Sequence, residues 1–236
     1  MDAPLRVLIH GSTGRMGQAL LRLCAEQPAR FAVAGAVSQQ PSQRVVDGVP
    51  QFSARELSGV PAFDALVDFS RPDAFDRVLA LAVARGAAFV SGTTGLSEAQ
   101  RDALRLAAER VPACWASNFS LGVAVLAGLV ARAAHALEGW DCDIVEAHHA
   151  GKVDAPSGTA LTLGAAAEEG GATPRYASLR AGDIVGEHLV QFTGQGERLE
   201  LVHRAGNRDV FARGALHVAS RLAGRDPGLY GVRDLL

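Results

Sequence analysis

The chain is predicted to be an α/β protein, a Rossmann-like doubly wound parallel-sheet domain joined to a smaller α+β domain with a mixed open sheet. Three observations predict it. Between residues 5 and 116, short apolar runs alternate with segments of helical period across short links, the pattern of a parallel sheet covered on both faces. The first link is rich in glycine. From Ala177 onward the apolar period falls to two around a Thr-Gly-Gln-Gly turn at residues 193–196, which predicts an antiparallel hairpin. The boundaries fall at residues 1–118 with 208–236 for the larger domain, and 119–207 for the smaller.

Residues 5–9 form the first apolar strand and run directly into His10 and the series Gly11, Ser12, Thr13, Gly14, Arg15, Met16 and Gly17. Met16, Ala19, Leu20, Leu23 and Cys24 then recur at helical spacing. Strand, glycine turn and helix is the order that a dinucleotide site requires: the glycines let the backbone turn tightly, approach a pyrophosphate and pack helix on strand. The spacing is G-x-x-G-x-x-G rather than G-x-G-x-x-G, and a purely structural turn is the alternative. Residues 31–37 form a second strand, which places the ribose-reading position near Ser38, a residue that is not acidic.

Residues 50–59 read as a polar connection. Residues 65–69 form the third strand, ending in Phe69 and Ser70, with Pro72 marking a helix whose Phe75, Val78, Leu79 and Ala82 share one side. Residues 87–90 form the fourth strand, followed by Gly92, Thr93, Thr94 and Gly95 and by a helix opened by Ser97, with Gln100 in capping-box register. The fifth strand, 111–116, leads through Ser117, Asn118 and Phe119 into an apolar helix over 121–137. In this architecture ligands sit beyond the carboxyl ends of the strands, where the loops at 11–17, 68–70 and 92–95 all fall. Beyond them, residues 141–146 form a strand, Ser157 caps a helix, Ile184, Leu189 and Phe192 face Leu199, Leu201 and His203 across the hairpin, and a helix over 208–222 ends the chain.

Residues 146–159 concentrate the chemistry: Glu146, His148, His149, Lys152, Asp154, Ser157 and Thr159 lie within one strand-to-helix connection. The start of a helix offers unpaired N–H groups and the positive end of its dipole, so Ser157, Gly158 and Thr159 suit a small carboxylate, with Lys152 adding a full charge. Imidazoles titrate near neutrality and deliver protons, which singles out His148 and His149. A strand end, a solvated lysine and an ordinary helix cap are the structural alternatives. A zinc site is a third reading, but no second ligand pair appears at a regular spacing, and no metal is expected.

At 236 residues with 48% hydrophobic content and a net charge of −2, the chain has the composition of a soluble globular protein and not of a general nucleic-acid binder. Its longest apolar stretch, 121–130, is about half of what a bilayer span needs, so no membrane partner is expected. Three widely spaced cysteines, Cys24, Cys114 and Cys142, and an N-terminal apolar run too short for a signal segment point to a reducing compartment, the cytoplasm.

Taken together, residues 11–17, 68–72, 92–95, 117–120, 146–159, 181–188 and 231–235 make the chain resemble the dihydrodipicolinate reductase family over nearly its whole length. The stretch 146–159 is the most specific of these. The resemblance implies reduction of 4-hydroxy-tetrahydrodipicolinate to tetrahydrodipicolinate by hydride from NADPH or NADH, in the diaminopimelate route to lysine. It implies His148 as general acid, Lys152 as the group that engages substrate and stabilises developing charge, and His149, Ser157, Gly158 and Thr159 as carboxylate binders. It implies a cofactor lined by residues 11–17, by Gly92, Thr93 and Thr94, and by Ser117, Asn118 and Phe119; Ser38, Phe69 and Ser70 border the same crevice. A homotetramer assembled through the second domain's sheet is implied as well. The chain departs from the family pattern between residues 168 and 180, which is shorter, and at Ser38 and Gln39, which replace an acidic-basic pair. Without an acid at 38 to repel a 2′-phosphate, and with Arg15 and Arg44 nearby, NADPH is expected to serve at least as well as NADH. The rivals are a semialdehyde or homoserine-type dehydrogenase, and a nucleotide-sensing regulator that has lost catalysis.

Overall fold

A computed structural model describes residues 3–41 and 43–236. The chain divides into two compact units, Met1–Phe119 with Phe211–Leu236, and Ser120–Val210.

In the first unit β1 (Leu5–His10), α1 (Arg15–Ala25), β2 (Phe31–Ser38), β3 (Val45–Val46), β4 (Val49–Ser53), β5 (Ala65–Asp68), α2 (Pro72–Arg85), β6 (Ala88–Ser91), α3 (Glu98–Ala108) and β7 (Pro112–Trp115) follow one another. The second unit holds α4 (Leu121–Ala136), β8 (Asp141–His148), α5 (Gly158–Glu169), β9 (Pro174–Arg180), β10 (Glu187–Gly194) and β11 (Glu197–Arg204). α6 (Asp209–Leu222), β12 (Gly228–Tyr230) and a 3-10 turn over Val232–Leu235 follow.

The eight strands of the first sheet are ordered β12-β7-β6-β5-β1-β2-β4-β3, parallel except where β3 turns back on β4. Val7, Leu8 and Ile9 of β1 and Ala65, Leu66 and Val67 of β5 are wholly buried, as strands flanked on both sides must be. The chain leaves β1 in one direction to β2 and in the other to β5, so the switch point lies between the ends of β1 and β5. The helices between strands carry the punctuation that the sequence implies. Pro72 stands in the first turn of α2, and Gly86 closes that helix at φ 62°. Ser97 and Gln100 form the capping box of α3.

The second sheet runs β11-β10-β8-β9 and is mixed, because β9 joins β8 in parallel while β10 is antiparallel to both β8 and β11. On β8, burial alternates so that Cys142, Ile144, Glu146 and His148 share one face. Cys142 and Ile144 pack there with Leu126 and Val130 of α4 and Leu163 of α5.

Both sheets match the predicted class, and five details differ. The polar connection at 50–59 begins with a strand, β4; parallel pairing to β2 starts at Gln51, so Pro50 withholds no hydrogen bond from it. Residues 174–180 form β9, which has no polar alternation because most of the strand is exposed on an edge. Ile184 and Val185 precede β10 instead of belonging to the hairpin. The helix over 209–222 does not end the chain, because β12 adds a parallel strand to β7. Finally, β8 continues to His148, which places Glu146 and His148 on a strand and only the later residues on a loop.

Phe75 of α2 meets Phe89 of β6 edge to face, with ring centroids 5.6 Å apart and both side chains wholly buried. Phe75→Ala is expected to destabilise the chain by about 3–5 kcal/mol, as removal of a core aromatic typically does. Urea unfolding measures this, and an unmoved midpoint would contradict the packing described.

Candidate active site

In the first unit the glycine loop lies where the sequence places it, between β1 and α1. Gly11 and Ser12 donate their N–H groups to the Val37 carbonyl at 3.0 and 3.1 Å, which pins the loop against β2. Gly11 has φ 79°, and a Cβ there would lie 2.4 Å from the Phe69 carbonyl oxygen, so only glycine fits. At Gly17 a Cβ would stand 2.3 Å from the Gly11 oxygen, which is why α1 can approach the strand end. Gly14 differs: a Cβ would meet only the Gly11 oxygen, at 3.2 Å, and its outer side faces away from the chain. Arg15 opens α1 and is exposed, Met16 is half-buried, and Thr13 is exposed.

Ser12 and Ser38 are buried, and neither hydroxyl has a partner among the described residues. Both border a cavity of about 490 Å³ that Thr13, Gln18, Arg22 and Gln51 also line. Thr13 and Ser38 border a second cavity of about 300 Å³, shared with His10, Gln39, Phe69 and Arg71. Buried hydroxyls are ordinarily satisfied, so two orphans facing one cavity beside an open glycine suit the ribose and phosphate oxygens of a dinucleotide. The guanidinium bordering the larger cavity is that of Arg22, paired with Glu26 at 2.8 Å, while Arg15 and Arg44 border neither cavity.

The neighbouring loops are tied together by Asp68 at the end of β5. Its carboxylate accepts from His10 Nδ1 at 2.7 Å, from the Ser91 and Thr93 hydroxyls at 2.8 Å each, and from the Ser70 N–H at 3.1 Å. Burial acts to raise the Asp68 pKa, but these donors outweigh it and hold the group ionised. Thr93 in turn accepts from the Trp115 indole at 2.8 Å through its carbonyl. Gly92 lies flat against the Phe69 ring, where a Cβ would fall 2.1 Å from a ring carbon, and Phe69 meets Phe119 edge-on at 5.6 Å. Thr94 and Ser117 are exposed, with Asn118 half-buried beside them. One sheet edge thus gathers all the loops predicted to line the cofactor.

In the second unit, the end of β8 carries a buried charge cluster. His148 Nδ1 lies 2.5 Å from Glu146 Oε2, and the Glu146 side chain is fully buried. Arg180, paired with His148 in the β8–β9 register, grips Glu146 with both terminal nitrogens at 2.9 and 2.7 Å. The Ser157 N–H adds a bond to Oε1 at 3.3 Å. Burial works to raise the Glu146 pKa, but hydrogen bonds from Arg180, Ser178 and His148 bring it down to about 2. An ionised carboxylate only accepts, so Nδ1 of His148 carries the proton and Nε2 has the lone pair. Burial is the main cause that lowers the His148 pKa; Glu146 opposes it, and Lys152 and Arg180 reinforce it. The ring is therefore neutral at pH 7.

Lys152 reaches Asp154, whose two carboxylate oxygens accept from Nζ at 2.7 and 2.8 Å. Ser157 caps α5: its hydroxyl accepts from the Ala160 N–H at 3.2 Å and lies 3.3 Å from His188 Nε2. That hydroxyl is occupied, and the first-turn N–H groups of a helix, beginning here at Gly158, point outward from its start. His149, just past the strand, is half-buried and keeps contact with the loop through the bond from the Lys152 N–H to its carbonyl at 3.1 Å. Among the described residues no group of three or more His, Cys, Asp or Glu side chains is placed to hold a metal.

Models of the N-terminal and C-terminal parts of dihydrodipicolinate reductase match residues 5–119 and 122–236. The chain belongs to the dihydrodipicolinate reductase family. It is accordingly an NAD(P)H-dependent oxidoreductase. A 4-hydroxy-tetrahydrodipicolinate reductase from Stenotrophomonas maltophilia is 71% identical over 100% of this chain and 99% of its own. One from Xanthomonas campestris pv. campestris is 67% identical over 99% of this chain and 98% of its own. Among solved structures, a dipicolinate-bound dihydrodipicolinate reductase from Paenisporosarcina sp. TG-14 superposes with a TM-score of 0.84 at 22% identity, covering 99% of this chain and 100% of that one, a likeness of fold.

The sequence singles out Glu146 and Asp154 only as members of the polar stretch, without a catalytic or binding role, and does not single out Arg180, His188 or His10. Glu146 had a signal, because residues two apart on a strand share a face, and His148 follows it by two. His10 and Asp68 end two adjacent apolar runs at the same register, which is also a readable signal. Arg180 had none, since its partner is 34 positions away across a strand that the sequence does not announce.

His188 is buried between His148 and His203, with ring centroids 5.2 and 6.3 Å away, and burial pushes its pKa down to about 4. In the unfolded chain a histidine takes up its proton near pH 6.5. The unfolded state therefore binds more protons between about pH 6.5 and pH 4, and stability is lost as pH falls through that window. His188→Gln is expected to flatten the fall in Tm over this window in calorimetric scans; an equally steep fall would assign the acid sensitivity elsewhere.

Proposed function

We propose that the chain reduces 4-hydroxy-tetrahydrodipicolinate to tetrahydrodipicolinate in the diaminopimelate route to lysine, with His148 as the proton donor. Supporting this reading most directly is the 2.5 Å pairing of Glu146 with His148, which leaves Nε2 as the nitrogen available to substrate, beside Lys152 and the start of α5. Bound NADPH or NADH supplies the hydride. Residues 11–17, Ser38, Phe69, Ser70, 92–94 and 117–119 hold it, and the orphan Ser12 and Ser38 hydroxyls are the groups that most need its oxygens.

Lys152 exchanges its Asp154 partner for a substrate carboxylate, and first-turn N–H groups of α5 receive carboxylate oxygens with His149 at the rim. Hydride addition leaves an electron pair on the substrate, and a proton from His148 Nε2 quenches it. The ring is neutral in the free chain, so it takes that proton in the presence of the dianionic substrate, whose charge favours the imidazolium.

Chain assembly as a homotetramer is part of the proposal. It is supported by the open face of the second sheet, where Val145, Leu179 and Val202 are 40%, 55% and 44% exposed and Leu189 lies between them. Residence in the cytoplasm is supported by three free, buried cysteines.

His148→Gln and Lys152→Ala are each expected to lower kcat by roughly 10²-fold or more, the usual size of acid catalysis and charge stabilisation, with cofactor affinity unchanged. Absorbance at 340 nm with each reduced cofactor measures this, and full turnover in both variants would refute the assignment. The free-enzyme acid titrates low and the complex higher, so the alkaline limb of kcat is expected at higher pH than that of kcat/KM. Coincident limbs would show that substrate does not shift the histidine. For cofactor choice, Arg22→Ala is expected to weaken NADPH more than NADH, as titrations of reduced-cofactor fluorescence will report; equal losses would mean that this guanidinium does not meet the 2′-phosphate.

A further inference from the structure

We infer that Arg180 is a positioning residue that sets both the proton and the charge in this site: one guanidinium fixes the carboxylate that orients His148 and also the loop that carries Lys152. The inference rests on the reading of His148 as the acid.

The geometry is that of a three-point fork. Nη1 and Nη2 take the two oxygens of Glu146, and Nη2 also donates to the Asp154 carbonyl at 2.6 Å. Asp154 carries the carboxylate that holds Lys152, so a single side chain on β9 couples the end of β8 to the loop after it. A lysine offers one point charge and cannot span these acceptors in one plane.

Charge supplies the second half of the argument. The groups facing His148 are Glu146 on β8, Arg180 on β9, Lys152 and Asp154 on the loop, and His188 on β10. Their two carboxylates and two cations cancel while His188 is neutral. Without Arg180, Glu146 would be a buried carboxylate whose nearest relief is a full proton on His148. The guanidinium thus lets Glu146 stay ionised beside a histidine that is still neutral, and keeps proton uptake for the moment when substrate arrives.

The test uses the full chain with ¹⁵N-labelled histidine and Arg180→Met and Arg180→Lys variants. In wild type without ligand, His148 is expected as the Nδ1–H tautomer, titrating below the ordinary histidine value. In Arg180→Met its titration is expected to move up, the alkaline limb of kcat/KM to move up with it, and kcat to fall about tenfold or more, a part of the roughly 10²-fold that acid catalysis supplies. In Arg180→Lys the retained charge is expected to leave the titration near that of wild type, while kcat remains lowered because the fork is lost. An unmoved His148 titration in Arg180→Met overturns the inference. If that variant does not fold, wild-type kcat in Arg180→Lys overturns it. The magnetic resonance needs no substrate, so a wild-type chain that fails to turn over substrate would sink the proposed reaction and leave this result standing.

Discussion

The buried carboxylate of Glu146 is the constraint on which the catalytic end of the second unit depends. A fully enclosed anion must be paired and hydrogen-bonded or it gives up its charge. Here the requirement recruits a guanidinium from β9, an imidazole from β8 itself and a backbone N–H from the start of α5. Three elements are thereby held in one geometry at the end of β8. The helix whose first turn is proposed to receive a carboxylate is anchored through the same group that orients the histidine.

The first unit solves its own problem in a parallel way. Asp68 is as buried as Glu146 and also sits at the carboxyl end of a strand, where it gathers His10 from β1, Ser91 from β6 and the loop residues Ser70 and Thr93. The loops proposed to line the cofactor are therefore spaced by a charged hub and by aromatic contacts among Phe69, Phe119 and the flat face of Gly92. Preorganised loops spare the ordering cost at binding, which is where buried charge repays its desolvation.

Much of this was legible in the sequence because the signals were local. Apolar periods gave the parallel strands, Ser97 with Gln100 gave a helix start, and the glycine at 11 answered a backbone position that tolerates nothing larger. What remained hidden depended on pairing between distant segments. β9 is an exposed edge with no alternation, and without it Arg180 has no visible partner. Pro50 disguised β4, since proline argues against a strand unless the pairing begins beyond it. Ser157 was legible as a cap and its occupation by that role was not, because the His188 contact crosses to another strand.

The neutrality of His148 in the free chain suits the acid role proposed for it. A histidine already protonated in the free chain would be an imidazolium stabilised by Glu146 2.5 Å from Nδ1, and that stabilisation weakens Nε2–H as a proton donor. Balancing Glu146 with Arg180 weakens that pull, and in the proposed reaction the two negative charges of the substrate would then favour the imidazolium where the electron pair appears. Without substrate the ring has a lone pair at Nε2 and no proton to give there, so on the proposed assignment proton delivery would be tied to occupancy through electrostatics alone.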